Sequence, residues 1–405
     1  MKEFSKDQRR ELYTLAFALI LAMSPWFSTA AVLSQVRDAW ALTNAQASWL
    51  TISVQIGFVV GAVFSSVTNL ADRLPPRRLI LIGSIGAAFA NAWIVIGDSF
   101  VSALVARFTT GAFLAAVYPP SLKAMSSWFR QGRGFALGVM IGALTLGSAL
   151  PHLINSLGGI EWRFTLIAVS LLTLTGGVIA ERLTTEGPHM GSPAVFDPTQ
   201  IRAIFMNRNF RLASAGYFGH MWELYAMWAW IALFYRDVFA SPRVASLVAF
   251  AVIGAGAAGS VYAGRMSDKY TRSEAAALAM RWSASTAFVT GFLVDAPKPI
   301  VLVVGLIWGF WVVADSAQFS TIVVEVVDPR YAGTALTIQL AAGFILTVFT
   351  IFLVPVIRDA YSWGWAFLLL FPGPMLGAWA MRSLRLGPRR PKVPEPEPVY
   401  ISPFF

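Results

Sequence analysis

The sequence predicts an all-α membrane protein of twelve transmembrane helices in two pseudo-symmetric halves of six. Composition points there first. Hydrophobic residues make up 57% and charged residues 13% of the 405, about half the ~25% charge of a soluble domain. A water-soluble fold could not bury that much apolar side chain, so lipid is the solvent for most of it. The second observation is a set of twelve apolar runs, each of roughly 17–25 residues, the length that crosses about 30 Å of hydrocarbon. The third is an internal repeat. Thr68-Asn69-Leu70-Ala71-Asp72-Arg73-Leu74-Pro75-Pro76-Arg77-Arg78 and Gly264-Arg265-Met266-Ser267-Asp268-Lys269-Tyr270-Thr271-Arg272 each place an acid, a base and further base between two apolar runs. Arg133-Gly134-Phe135-Ala136-Leu137 is echoed by Arg330 and Gly333-Thr334-Ala335-Leu336. The offsets, 196 between Asp72 and Asp268 and 199 between the two Ala-Leu pairs, are close to half the chain. Two similar halves suit a secondary transporter, in which one half moves against the other around a central site.

The runs fall at 12–34, 46–68, 79–97, 100–122, 135–156 and 164–181 in the first half. In the second half they fall at 212–234, 244–264, 274–294, 300–324, 332–357 and 364–381. The first, starting at Leu12, is too long for a cleaved signal peptide and lacks its small-residue cleavage site. It contains Ser24-Pro25-Trp26-Phe27-Ser28-Thr29 at mid-depth, where Pro25 removes a backbone hydrogen bond and can open the helix. In the fifth, Gly138, Gly142 and Gly147 suit close helix packing. The domains are therefore 1–181, a central loop at 182–211, 212–386, and a proline-rich tail at 387–405. In the loop, Gly187-Pro188, Gly191-Ser192-Pro193 and Asp197-Pro198 interrupt any helix. Ile201–Met206 there reads either as a short amphipathic helix on the membrane surface or as part of a plain tether. The tail, with Pro388, Pro391, Pro394, Pro396, Pro398 and Pro403, reads as extended and unpacked.

Charge fixes the orientation. If both termini share a side, as twelve spans require, that side holds 23 of the 31 Lys and Arg. The other side holds Arg37, Arg163, Arg236, Arg243, Lys298 and Arg358, and Arg107 and Arg281 fall within spans. The bias places both termini in the cytoplasm and the protein in the cell (inner) membrane. With no cysteine there is neither a disulfide framework nor a thiolate metal site. The net charge of +10 is scattered between apolar runs, which argues against nucleic acid. No nucleophile–base set, metal cluster or phosphate loop is present, so the chain does not read as an enzyme, and no cofactor is expected.

The chain resembles the major facilitator superfamily, bacterial-type, over its full length. The Asp72-Arg73 loop is similar to the signature Gly-x-x-x-Asp-Arg-x-Gly-Arg-Arg, with Thr68 and Pro75-Pro76 where glycines are usual. Its second copy keeps Gly264, Asp268, Lys269 and Arg272. Arg107-x-x-x-Gly111 resembles the second motif of the superfamily, and Trp128-Phe129, Arg133-Gly134 and Glu161-Trp162-Arg163 resemble its recurrent loop sequences. The resemblance implies alternating access, with the first, fourth, seventh and tenth helices lining a cavity. It also implies gating roles for Asp72, Arg73, Arg77, Asp268, Lys269 and Arg272, whose contacts form in one arrangement and break in the other. The bland alternative is that these charges only fix topology. Proton-driven exporters of the superfamily carry a Gly-Pro signature in the fifth span, and Ser148 stands where that proline would be.

Ionisable groups deep in the membrane are costly and mark function or pairing. In the seventh span His220, Glu223, Met227 and Trp230 share a face. Glu223, eleven residues from Leu212, lies about 16 Å deep. It reads as a proton or substrate group, or as a structural acid held by His220 or another helix. In the tenth, Trp308, Trp311, Asp315 and Gln318 share a face, and Asp315 is the second coupling candidate. Arg107 is expected to pair with an acid across the cavity or to hold an anionic substrate. Trp26, Trp222, Trp230 and Trp311 suggest a cavity for a partly apolar ligand, or simple packing. The function expected is secondary transport of a small organic solute, coupled to protons. An uncoupled facilitator or organic-anion carrier, and a non-transporting sensor with the same fold, are the alternatives. The expected partners are solute, protons and the lipid bilayer, and nothing requires more than a monomer.

Overall fold

The computed structural model describes residues 4–157, 161–189, 197–328 and 331–384, apart from the side chains of Ala71, Asp72 and Asp268. The proline-rich tail at 387–405, Arg330 and Gly191-Ser192-Pro193 lie outside the described residues.

Every regular element among the described residues is helical, and the helices make twelve spans. The first is Lys6–Ala22 continued, after a break, by Ser28–Ala31. The second, third, fifth and sixth are Asn44–Val67, Pro76–Gly97, Arg133–Ser156 and Trp162–Leu183, and the fourth is Phe100–Leu114 with Tyr118–Trp128. The seventh, eighth, ninth and eleventh are Arg208–Val238, Pro242–Lys269, Arg272–Thr290 and Ala332–Ala360. The tenth is Lys298–Val312 with Ser316–Val326, and the twelfth is Trp363–Leu368 with Pro372–Ser383. Nine of the described helices are long and apolar enough to cross a membrane. The break after Ala22 leaves the first with a helix of 17 residues, and the seventh and ninth carry more polar and charged residues, Arg208, Arg211, His220 and Glu223 in the one and Arg272, Glu274 and Arg281 in the other.

Local chemistry sets the boundaries. Capping boxes at Ser5–Gln8, Thr43–Gln46 and Thr271–Glu274 start the first, second and ninth spans. Prolines occupy the first turn of the third and eighth, where the missing N–H costs nothing. The left-handed Asp98 ends the third. The fourth runs to Trp128, past the expected 122. Its continuity breaks at 115–117, and Pro119 and Pro120 fall in the first turn of the second piece, where proline is tolerated.

Through the second and fourth spans and their counterparts, the eighth and tenth, the two halves repeat at a register of 198. A Cβ on Gly111 would sit 2.0 Å from the Val54 carbonyl, and one on Gly309 would sit 1.8 Å from that of Val252. Gly61 abuts the Ala112 carbonyl as Gly259 abuts that of Phe310. The fourth span therefore lies against the second, backbone to backbone, as the tenth lies against the eighth. The breaks at 115–117 and 313–315 are 198 apart as well.

The halves meet along two seams. The fifth span runs beside the eighth: Gly138 faces the Ser260 carbonyl, at 2.7 Å from a Cβ, and Gly264 faces that of Gly134, at 2.6 Å. Arg265 lies over the Phe135 ring at 5.0 Å, and the Asn155 amide donates to Ser246 at 2.9 Å near the opposite membrane face. The second span runs beside the eleventh, held by Ser66 and Thr337 (2.7 Å) at one end and by an Asn44–Asp359 hydrogen bond at the other. The halves are thus joined near both membrane faces.

Candidate functional site

In the N-terminal half the site begins with the break in the first span. Ending the helix at Ala22 and restarting at Ser28 leaves carbonyls without helical donors. Arg107, fully buried on the fourth span, supplies them. Its Nη1 donates to the Pro25 carbonyl (2.7 Å) and to Ser28 Oγ (3.2 Å), its Nη2 to the Trp26 carbonyl, and its Nε to the Leu50 carbonyl (3.2 Å). Ser28 donates to Asn91 Oδ1 (2.7 Å), and the Asn91 amide donates to Ser170 Oγ (3.0 Å) and to the Leu166 carbonyl (3.1 Å). Arg107 was expected to meet an acid or an anion. Its contacts go instead to three carbonyls and a hydroxyl, because the broken first helix offers acceptors at Pro25, Trp26 and Ser28 and the second span adds that of Leu50.

The C-terminal half carries both membrane-embedded acids. Glu223 Oε1 accepts from Trp308 Nε1 (2.7 Å) on the tenth span and from Ser283 Oγ (2.8 Å) on the ninth. Asp315 sits in the break of the tenth span, with Oδ1 2.8 Å from His220 Nδ1, while His220 Nε2 is 3.0 Å from Ser316 Oγ. His220 therefore partners Asp315, and Glu223 is held by a hydroxyl and an indole. All three are buried inside the bundle, away from lipid. Gln318, one turn beyond Asp315, is buried with neither amide atom partnered. In each half a donor on the fourth or tenth span holds an acceptor on the first or seventh, and Pro25 and Glu223 stand at the 198 register.

Between the halves lies a cluster of rings. The N-terminal half contributes Trp26, Phe27 and Phe58, and the C-terminal half contributes Tyr225, Trp228 and Phe344. Phe27 stacks on Tyr225, its counterpart at the 198 register, with centroids 6.0 Å apart. Trp26 lies 5.9 Å from Tyr225 and 5.8 Å from Phe344, and Phe58 lies 4.9 Å from Phe344. With both seams joined and the centre filled by rings, the structure is occluded.

The other expected tryptophans stand elsewhere. Trp222 donates to the Leu369 carbonyl (2.8 Å) and Trp230 to that of Ile351 (2.9 Å), bracing helix pairs within the C-terminal half. Trp311 stacks on Trp282, 6.2 Å away, and lines a peripheral groove of about 380 Å³ with Val303, Ile307 and Phe310. It follows Trp308 by one turn of the same helix, Lys298–Val312, but its ring packs against the ninth span while Trp308 reaches Glu223.

Of the gating candidates, the side chains of Asp72 and Asp268 lie outside the described residues. Arg73 is exposed, and Arg77 has a buried Nε without a partner. Lys269 lies over the Tyr270 ring at 5.4 Å. Arg272 pairs with Glu325 at 2.8 Å, and Arg133 of the other half lies within electrostatic reach of that pair. Of the recurrent loop residues, Arg163 bridges Asp98 at 3.0 Å and Glu161, and lies 4.4 Å over Trp162.

Sequence reading missed Asn91, Ser283, Phe58 and Phe344. Serine, asparagine and phenylalanine are ordinary in apolar helices, and only packing shows which of them turn inward. The break at 115–117 had a readable signal, Pro119-Pro120 inside an apolar run.

A protein with two six-helix bundles at a fixed repeat, joined over a central cluster, is a multi-pass membrane protein of the transporter type. The family model of the Major Facilitator Superfamily matches residues 15–255, and the chain belongs to that family. It is similar to the MFS transporter asaE of Aspergillus flavus, 28% identical over 243 residues that cover 57% of this chain and 52% of that protein. It is similar to the multidrug efflux pump LfrA of Mycolicibacterium smegmatis, 29% identical over 147 residues, 35% of this chain and 29% of that protein. The aligned part thus spans about half the length of the first relative and less of the second. Among solved structures, the proton:xylose symporter XylE from E. coli superposes with a TM-score of 0.72 over 94% of this chain and 96% of that chain. At 14% identity this likeness shows the fold alone.

Proposed function

We propose that the chain is a secondary active transporter in a cell's inner membrane, with both termini in the cytoplasm, moving a small organic solute by alternating access coupled to protons. The observation that carries the coupling is the kind of partner each buried acid has. Among the described residues no Lys or Arg bridges Glu223 or Asp315; a hydroxyl, an indole and an imidazole hold them. A carboxylate locked to a guanidinium stays ionised. One held by neutral or titratable donors can take up a proton in one arrangement and release it in another. The break beside Asp315 gives the tenth span a place to flex as the seams part, so protonation and movement meet at one point. The proton:xylose symporter among the similar folds and the efflux pump among the relatives are in keeping with this reading.

The test begins with purified protein and a thermal-stabilisation screen of organic anions, cations, sugars and neutral aromatics. Solutes that stabilise the protein are then assayed in proteoliposomes. An imposed pH gradient should drive their accumulation in the wild type. Glu223→Gln should abolish driven accumulation while leaving solute exchange. Driven accumulation unchanged by that substitution would remove Glu223 from coupling, and flux insensitive to the gradient would make the protein a facilitator.

A further inference from the structure

The central cluster holds polar groups that the protein leaves unpartnered. The indole N–H groups of Trp26 and Trp228, the hydroxyls of Thr29 and Ser148, both amide atoms of Gln55 and both ring nitrogens of His152 are buried with no hydrogen-bond partner. These residues lie around one place. Trp26 and Trp228 belong to the ring cluster itself, and Gln55 lies one turn before Phe58 on the same helix face. Thr29 follows the break in the first span. On the fifth span Gly147 and Asn155 meet the first span at the Ile20 and Ala31 carbonyls, Gly138 and Gly142 meet the eighth, and helical spacing puts the buried Ser148 and His152 between those two faces. Buried polar groups are ordinarily paired, and six orphans around one cluster mark a surface shaped for a partner from outside the chain.

We propose that this surface takes an uncharged, planar aromatic molecule carrying hydrogen-bond acceptors, inserted between the ring triads of the two halves. This rests on the transporter reading and specifies its substrate class. Planarity follows from the rings: three from each half oppose one another at centroid distances of 4.9–6.0 Å. Parting the halves by about one ring thickness, ~3.5 Å, opens a slot whose two walls are both aromatic. Acceptors on the ligand follow from the two indoles, which can only donate, while the amide, hydroxyls and imidazole adapt to either role. Neutrality follows from the charges already committed. Arg107 spends four of its five N–H donors on three carbonyls and Ser28, and Glu223 and Asp315 face partners inside the C-terminal half. A charged ligand would enter the buried slot without a counter-charge.

The experiment is calorimetric binding to the purified full chain with coumarin, flavone and caffeine, against naphthalene-2-sulfonate and D-xylose. At least one of the three neutral aromatics should bind, and the sulfonate and the sugar should bind at least tenfold more weakly or not at all. Gln55→Leu, which nearly keeps volume, and Trp228→Phe, which keeps an aromatic ring but loses the indole donor, should each weaken binding about tenfold, with unfolding midpoints checking that both variants fold. The proposal is overturned if none of the three aromatics binds, if either control binds as tightly as they do, or if both substitutions leave binding unchanged. The two readings fail separately. Aromatic binding without gradient-driven flux leaves the substrate class and removes coupling, whereas driven flux of a sugar or an anion alone leaves transport and removes the class.

Discussion

Arg107→Met tests whether the fully buried guanidinium is a structural cap rather than an anion site. The substitution keeps much of the aliphatic stem and removes all four hydrogen bonds to Pro25, Trp26, Leu50 and Ser28. Of the three carbonyls, that of Leu50 keeps its place in a continuous helix and that of Pro25 keeps the amide and hydroxyl of Ser28, so the full cost of an unmade bond, about 1–3 kcal/mol, falls on the Trp26 carbonyl. Hydrogen bonds between membrane helices average about 0.6 kcal/mol in mutational cycles, which sets a floor of about 2 kcal/mol for the four. Arg107→Lys, with one ammonium for four dispersed acceptors, should fall between wild type and Met. The assay is reversible unfolding by SDS in mixed micelles. A loss of at least about 2 kcal/mol for Met is expected. A Met variant within about 0.5 kcal/mol of wild type that had lost binding of anionic solutes would refute the capping argument and restore the anion site.

Widening the seam should release the occluded state: Gly138→Leu and Gly264→Leu drive side chains into the carbonyls of Ser260 and Gly134. Because the chain has no cysteine, Thr29→Cys gives a clean probe, and its maleimide labelling should speed up at least tenfold in either variant. His220→Ala should leave Asp315 without its imidazole, while Asp315→Asn should soften that loss. A double-mutant cycle of unfolding energies should show coupling above about 0.5 kcal/mol, and additivity would mean that the 2.8 Å approach carries no energy. Asp197, whose side chain accepts from the hydroxyl and amide of Thr199, is held below the usual carboxylate range by those bonds. A depressed folded value stabilises the segment above the unfolded pKa, about 3.9, and that contribution fades as pH falls through the lower folded value. Hydrogen exchange over residues 198–206 should therefore gain protection between pH 3 and pH 5 beyond the intrinsic trend, and Asp197→Asn should flatten the change.

Much of the architecture is written in short-range terms. Apolar run length and the Lys/Arg bias need no knowledge of neighbours, because the bilayer acts on each segment alone. The break in the first span was legible in Pro25, and that of the fourth was signalled by Pro119-Pro120. The break beside Asp315 had no such mark, since Val313-Ala314-Asp315 reads as a continuing helix. Glu223, Asp315 and Arg107 were found because charge in a membrane is conspicuous, but their partners were not. Helical spacing put His220 and Glu223 on one face, and the nearest acid to His220 proved to be Asp315, on another helix.

The sequence by itself determined that the chain is a twelve-span membrane protein with an internal repeat, because hydropathy and duplication are properties of the chain taken in order. Only the tertiary structure decided the repeat's register of 198, the capping role of Arg107 and the meeting of six rings between the halves. Those depend on contacts between residues up to some 320 positions apart, such as Trp26 with Phe344, and the packing of helix against helix brings them within reach.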